Sequence, residues 1–350
     1  MIPLAGVIYQ CPNCGGHLAF DPQTQQWKCP FCDSLFDKES LTETEQQSAE
    51  KPAQEQQAAD GQLLYRCPTC GSEIITSATT AATHCYYCHN PVVLQGQLTD
   101  DMRPDEVLPF TVSKQKAVDT FMNWVKGKKY VPKAFFSQSQ VENMVGVYYP
   151  HFVTECELQG VLEGEGRNTS MMDAGTHIIT STRHFHVRRE ATLSFRSIMR
   201  PALKKANRKL SDGIHPFPLG NAKPFEDAYL SGFLAERRDI DKADIADDIA
   251  QETSRYVQPM LRQTVSYDSF TGQPSAKVRK MDSRYVLLPT WVLTYPNKQN
   301  KDDPYYYAMN GCTGEVCGKL PLDKKKLYLT ALTLGAALFV IGCLLCYFVF

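Results

Sequence analysis

The 350-residue sequence predicts an α+β protein: two small cysteine-paired β modules, a mixed α+β domain and one C-terminal membrane-crossing helix. Three observations predict it. Cys-x-x-Cys pairs occur four times in the first 88 residues, as two copies offset by 56 positions. Helix-patterned and strand-patterned segments mix between residues 104 and 322. Residues 327–350, LYLTALTLGAALFVIGCLLCYFVF, carry no charge.

The first module holds YQCPNCGGHL, residues 9–18, and WKCPFCDSLF, residues 27–36. The second repeats the arrangement in YRCPTCGSEI, residues 65–74, and THCYYCHNPV, residues 83–92. In each copy 14 residues separate the two pairs. Two thiolates in Cys-x-x-Cys grip one ion from a tight knuckle, and Gly15 and Gly71 stand where that turn wants a positive φ. A second pair arriving from a short hairpin completes a tetrahedral sulfur cage, which suits zinc. The expected ligands are Cys11, Cys14, Cys29 and Cys32 for one Zn2+ ion and Cys67, Cys70, Cys85 and Cys88 for a second. Four thiolates leave no open position for substrate, so these sites are expected to be structural. Iron is the alternative metal, since it also accepts tetrahedral sulfur. A disulfide framework is the alternative without metal, and a cytosolic setting argues against it. Each ribbon has about 35 residues, too few for a proper core, so metal binding is expected to supply most of its folding energy, roughly 10–16 kcal/mol at such sites. His17, His84 and His89 lie near the cysteines but find each site already supplied with sulfur; they are expected beside the ligands or at the surface. Tyr9, Phe20, Trp27 and Phe36 are expected to pack the first ribbon's sheet, and Tyr65, Ile74 and Ile75 the second's.

A helix of 24 residues spans about 36 Å, enough for a hydrocarbon core of about 30 Å. The terminal run is apolar on all faces, and Lys324, Lys325 and Lys326 stand immediately before it. The positive-inside rule keeps those lysines cytoplasmic. We therefore expect a tail-anchored, single-pass protein of the cell membrane whose N-terminal region is cytoplasmic, with its knuckle thiols in reducing surroundings. The start, MIPLAGVIYQCPNC, lacks the basic region of a signal peptide. Cys343 and Cys346 fall one turn apart in the terminal run and read as apolar filler, with a redox or lipid-carrying pair as the alternative.

The domain plan follows: a zinc ribbon at 1–36, a Gln/Glu/Ala-rich flexible linker at 37–62, a second ribbon at 63–96, the α+β domain at 104–322 and the transmembrane helix at 327–350. The linker lets the ribbons move independently. Within the α+β domain Ser113 reads as a helix N-cap, Ala117, Val118, Phe121, Met122 and Val125 as its apolar face, and Gly127 as its end. Residues 145–166 have strand character, and GVLEGEGRNTS at 160–170 reads as a hairpin turn. A long ribbon spans 176–195, where Phe185, Val187, Ala191, Leu193 and Phe195 share parity and face a core. Helices are expected near 201–211 and 224–260, a strand at 284–298, and a hairpin at 305–321 turning at Asn310-Gly311 and Gly314.

The knuckles, LPF at 108–110, VYYPHF at 147–152, AYLSGFLAER at 228–237, LLPTWVLTY at 287–295 and the ending MNGCTGEVCGKLP together carry a resemblance. The chain resembles bacterial membrane proteins with a transcription-factor-IIB-type zinc ribbon, often labelled primosomal or replication helicase-like. The resemblance implies a membrane-tethered scaffold or recruitment role, with SPFH-type or phage-shock-type membrane-stress proteins as implied partners. Cys312 and Cys317 depart from the hairpin residues expected there, which leaves a redox or metal role open beside the reading of unpaired strand cysteines.

The helicase label fails on chemistry. A motor needs G-x-x-x-x-G-K-[ST] to cradle phosphate, and no such string occurs. The net charge is −1 and neither ribbon is basic, so nucleic acid is a possible partner that the composition does not favour. One basic stretch runs from Arg183 to Lys209, with Glu190 its only acid. It is expected to meet anionic lipid, nucleic acid, or the acidic segment at 236–252. Cys156, His151 and His177 invite a thiol-catalysis reading, but a lone strand cysteine usually packs, and no enzyme is expected. The reading is a membrane-anchored cytosolic adaptor or scaffold whose tandem structural zinc ribbons recruit protein partners at the lipid bilayer. The alternative is a membrane-tethered, nucleic-acid-binding zinc-ribbon protein of replication or transcription.

Overall fold

The computed structural model describes residues 4–7, 9–45, 57–58, 62–67, 69–85, 88, 90–94, 98, 100–137, 141–206, 208–295, 297 and 305–349. The fold is α+β, with two four-cysteine modules near the N-terminus, a large sheet and a C-terminal apolar helix. The chain divides into two compact units. One comprises Met1–Tyr149, Asn207–Arg237 and Leu287–Phe350; the other comprises Pro150–Ala206 and Arg238–Val286.

The first unit begins with β1 (Leu4–Val7) and a separate three-stranded sheet, β2 (Ala19–Asp21), β3 (Gln26–Lys28) and β4 (Leu35–Phe36). Helix α1 (Lys38–Glu45) opens the segment expected to be a linker, and β5 (Gln57–Ala58) closes it. The second ribbon supplies β6 (Gln62–Arg66), β7 (Glu73–Ser77), β8 (Thr80–His84) and β9 (Pro91–Leu94). Leu63, Tyr65, Ile74, Val92 and Leu94 close around Cys67 and Cys85 as its own small core. Ile75, placed in that core from the sequence, is instead exposed, because successive strand residues point to opposite faces.

After β10 (Glu106–Val107) comes α2 (Lys114–Lys126). The backbone N–H of Lys116 donates to the Ser113 side chain, Gly127 is the C-cap, and Ala117, Phe121 and Val125 are buried. Two long strands follow, β11 (Val145–Asp173) and β12 (Ile178–Pro201). Between residues 201 and 237 the expected helices give way to a short α3 (Arg208–Gly213), a 3-10 turn at Leu219–Asn221, β13 (Lys223–Pro224), a second 3-10 turn at Asp227–Leu230 and β14 (Leu234–Glu236). Pro224 lacks an N–H for a ladder, and Gly232 at φ +91° reverses the chain, so a helix does not continue through this stretch. The helix of this region, α4 (Lys242–Gln263), starts later, where the Asp241 backbone N–H donates to the Asp244 carboxylate at 3.0 Å. The chain ends with β15 (Ser269–Tyr295), β16 (Tyr305–Asn310), β17 (Val316–Lys319) and α5 (Lys324–Val349).

The second ribbon is stitched into the first unit's sheet. Strand β8 pairs antiparallel with β14 through Ala82 and Ala235, and β14 pairs parallel with β11 through Leu234 and Val147. On its other side β6 pairs parallel with β1. The first ribbon packs as well. The Trp27 indole donates to Ala228 O at 2.8 Å, Phe20 N donates to Ser231 O at 3.0 Å, and the Ser231 hydroxyl donates to Leu18 O. Phe20, Trp27 and Tyr229 form an aromatic cluster, and Lys38 pairs with Glu226. Independent motion of the ribbons, expected from the linker's composition, therefore meets packed contacts at both modules.

In the second unit β12, β11 and β15 lie side by side with α4 across one face. The buried residues of α4 recur every four positions, Ile245, Ile249, Thr253, Val257 and Leu261. Of these, Val257 and Leu261 meet Cys156, Leu158 and Leu162 of β11, with Ala191, Leu193 and Phe195 of β12 packed alongside. The glycine-rich run at 160–170 is not a turn. Gly160, Gly164 and Gly166 lie mid-strand on one face, where an added Cβ would stand 2.6 Å from Val257, 2.3 Å from Thr271 O and 2.7 Å from the Tyr267 ring respectively. Their missing side chains admit α4 and flat aromatic rings. The turn lies further along, where Gly175 takes φ +83° and Ala174 N donates to His177 O at 2.9 Å.

Candidate metal centre

Each of the four knuckles closes with the same pair of backbone bonds as far as it is described. Cys11 N donates to Gly16 O, Cys29 N to Ser34 O, Cys67 N to Ser72 O and Cys85 N to Asn90 O. In return Gly15 N, Asp33 N and Gly71 N donate to the carbonyls of Cys11, Cys29 and Cys67. That return bond needs a left-handed residue, and Gly15, Gly71 and Asp33 have φ of +72°, +72° and +56°. Asp33 fills the role of glycine, with Lys28 Nζ 2.9 Å from its carboxylate.

The knuckles bring the sulfurs together as two cages, Cys11/Cys14/Cys29/Cys32 and Cys67/Cys70/Cys85/Cys88, each with all four Sγ atoms within 4.8 Å of one another. The first cysteine of each pair is buried, and the second is more open. Cross-pair separations are 3.6 Å for Cys11–Cys32, 3.5 Å for Cys14–Cys29, and 3.7 Å for both Cys67–Cys88 and Cys70–Cys85. A tetrahedron with Zn–S bonds of about 2.3 Å has an S···S edge of about 3.8 Å, whereas a disulfide holds its sulfurs about 2.05 Å apart. The cages fit a tetrahedral ion and are too wide for disulfides. Each is suited to one zinc ion.

Two hydroxyls that the sequence reading missed support the sulfurs. Ser34 Oγ lies 3.3 Å from Cys32 Sγ, and Ser72 Oγ lies 2.9 Å from Cys70 Sγ and 3.3 Å from Cys85 Sγ. The hydrogen bond between Cys32 and Ser34 draws the Cys32 thiol down to about 6, and that between Cys70 and Ser72 lowers Cys70. The signal was present as a serine two residues after Cys32 and two after Cys70. Of the histidines, His17 packs edge-on against Phe31 with ring centroids 5.1 Å apart, and burial lowers its pKa. His84 sits at the end of β8, and His89 lies outside the described residues.

The remaining sequence candidates are scattered. Cys156 is buried against α4, and burial pushes its thiol up. His177 stands at the hairpin turn, where β11 and β12 end. Cys156 and Ala174, the residue paired with His177, are separated along the strand by a distance of roughly 60 Å at about 3.3 Å per residue. The thiol-catalysis trio is not assembled. Cys312 and Cys317 do not meet either; Cys312 Sγ donates to Pro109 O at 3.3 Å, and Cys317 pairs across the ladder with Ala308. The basic stretch splits by strand parity. Arg188 pairs with Glu163 and Glu190 on one face, Arg189 stands on the other, and Arg200 pairs with Glu252 of α4.

Over 329 residues the chain is 30% identical to the uncharacterized protein YdjG of Bacillus subtilis (strain 168), an alignment that covers 91% of this chain and 92% of that one. The chain belongs to the family of YdjG. No family model matches it, and no solved structure matches significantly. Membership in the YdjG family extends to both compact units, because the alignment takes in nine-tenths of the chain.

Proposed function

We propose that the protein is a membrane-anchored, non-catalytic adaptor. The closed four-sulfur cages leave no place for a substrate and so act as folding elements. Helix α5 supports the anchor: Lys324–Cys346 is long and apolar enough to cross a bilayer, and none of it is buried in the protein. With Lys324–Lys326 at its start, the bulk of the chain would face the cytoplasm and the topology would be tail-anchored.

The observation that carries the adaptor reading is the end of the β11–β12 hairpin. Met171, Met172, Ile178 and Ile179 are 73%, 62%, 72% and 49% exposed. Met172 pairs with Ile179, whereas Met171 and Ile178 lie on the opposite face. Apolar groups on both faces of a solvent-exposed ribbon end suit insertion into a partner's cleft. The implied membrane-stress proteins of SPFH or phage-shock type are the first partners to test.

A nucleic-acid role is less well supported, since the one basic stretch is divided between two strand faces and partly neutralised by Glu163, Glu190 and Glu252. The experiment is co-purification of the detergent-solubilised chain with each purified candidate. Met172→Lys/Ile179→Lys is expected to abolish a complex that the wild type forms. Retention of the complex by this variant would remove the hairpin end from the reading, and pelleting failure after alkaline washing would remove the anchor.

A further inference from the structure

The β11–β12 hairpin of the second unit leaves a long open edge. Strand β12 (Ile178–Pro201) pairs with β11 along one side, and among the described residues no strand lies on its other side. Alternate residues of β12 therefore turn their N–H and C=O groups to solvent, which is the template to which a further strand adds.

Which strand the edge accepts follows from its side chains. Register with β11 places Arg183, Phe185, Arg189, Leu193 and Phe195 on the face that bears α4. The outer flank of α4 adds apolar surface beside the strand. Tyr256 is 55% exposed with its ring 6.3 Å from that of Phe195, and Met260, one turn on, is 53% exposed. On the opposite face Arg188 is answered by Glu163 and Glu190. Arg183 and Arg189 are exposed, and among the described residues neither has an acidic partner. Arg189 donates to Arg188 O at 3.1 Å; Asp268, across β11 at the level of Arg183, accepts from Thr169 N at 2.6 Å. A second copy of β12 would bring more arginine to this edge, so self-pairing is disfavoured and an acidic strand is favoured.

We infer that the free edge of β12 binds an extended segment of a partner protein as an added strand, with two acidic side chains opposite Arg183 and Arg189 and apolar ones against Phe185, Phe195 and Tyr256. Side chains on one face of a strand recur every second residue, so the two acids stand six positions apart, as the arginines do. The inference rests on the adaptor reading above and gives the chemistry of the partner segment. It uses the side of the hairpin, where that reading uses its end.

The probe is a fluorescent synthetic peptide of about ten residues, valine and threonine apart from two glutamates with the arginines' spacing. One comparison peptide carries lysine for glutamate, and another has proline at its two central residues. Each is titrated with the full chain in non-ionic detergent, and anisotropy is read. The glutamate peptide is expected to bind about tenfold more tightly than either comparison peptide, and to slow amide hydrogen exchange along β12. Arg183→Gln/Arg189→Gln is expected to lose the preference, and Lys277→Gln on β15 to keep it. Zinc content and circular dichroism confirm that each variant is folded. No binding of the glutamate peptide, equal binding of the lysine or proline peptide, or an unchanged preference in the folded double variant would each overturn the inference. A wild-type dimer with β12 amides protected before peptide is added gives the edge to a second copy and overturns it too, as does single-stranded DNA bound equally tightly through the same arginines. Met172→Lys/Ile179→Lys separates the two readings, since it should still bind the glutamate peptide. A chain that takes the peptide but no candidate partner at its hairpin end has lost the adaptor contact, whereas one that holds a candidate there and ignores the peptide has lost only the strand edge.

Discussion

The indole Nε1 of Trp27 donates to the carbonyl oxygen of Ala228 at 2.8 Å, a buried bond between residues 201 positions apart. It joins the first ribbon to the segment between α3 and β14. Trp27→Phe removes this donor together with part of the ring and leaves the Ala228 carbonyl buried and unpaired, the lost bond alone costing about 1–3 kcal/mol. Trp27→Ala also empties the cluster with Phe20 and Tyr229 and should cost about 3–5 kcal/mol. Thermal unfolding in detergent should rank wild type, Phe variant and Ala variant in that order. Equal melting temperatures would show that the ribbon is not held at this contact.

Elemental analysis of purified protein should find two zinc ions per chain, one for each cysteine cage. Cys29→Ser and Cys85→Ser should each lower the content to one. Loss of both ions from either single variant would mean that the two sites do not fold separately. Chelation at neutral pH should melt the second ribbon, whose core includes Cys67 and Cys85. Because β6, β8 and β9 of that ribbon are strands of the larger sheet, chelation should also lower hydrogen-exchange protection in β14.

Asn310 is buried at the end of β16 and uses its whole side chain. Its Nδ2 donates to Ile214 O and Pro216 O, both at 2.9 Å, and its Oδ1 accepts from Cys312 N at 2.8 Å and Thr313 N at 3.1 Å. Asn310→Asp keeps the shape but turns an oxygen toward two carbonyls. It should destabilise by on the order of 3 kcal/mol, as should Asn310→Ala. A melting temperature within 1 °C of wild type for Asn310→Asp would refute this account.

Gly166 and Gly175 separate two reasons for glycine. A Cβ at Gly166 would fall 2.7 Å from the Tyr267 ring, and overpacking of that kind costs about 1–3 kcal/mol. Gly175 has open space but φ +83°, so Gly175→Ala should cost about 1–2 kcal/mol through the backbone alone. Gly175→Asn should recover part of that loss, since asparagine tolerates left-handed φ, whereas Gly166→Asn should be worse than Gly166→Ala. Comparing the four melting temperatures tests the distinction.

Burial pushes the Cys312 thiol up to about 12, and its Sγ donates to Pro109 O. The neutral thiol is therefore favoured in the folded chain. The stability this contributes is complete below the unfolded value of about 9 and is lost as pH rises toward about 12. Iodoacetamide at pH 8 should leave Cys312 unmodified in folded protein and label it after denaturation. Rapid labelling in the folded state would contradict the raised thiol pKa.

Much of the local structure was legible in the chain itself. The α2 cap at Ser113, its apolar face and its end at Gly127 follow from bonds and contacts among neighbours within a few turns. The knuckles were legible for the same reason, since Cys-x-x-Cys followed by glycine closes its own turn before any distant residue arrives. A charge-free run of 24 residues declares its need for an apolar environment without reference to the rest of the chain.

What only the tertiary structure decided concerns partners far apart in sequence. Trp27 and Phe20 read as core residues of a small ribbon, but Ala228, Ser231 and Tyr229 complete their surroundings. The glycines at 160–166 read as a turn because glycine is the usual turn residue; α4 and Tyr267, about 100 residues onward, explain why they sit in a strand instead. The basic stretch looked continuous along the chain, yet strand alternation divides it and Glu163 and Glu252 neutralise part of it. The cysteine cages and the apolar length of the last helix depend on composition over short spans, so sequence reveals them directly. Packing depends on which side chains the fold brings within a few ångströms, and that is settled only when the whole chain has collapsed.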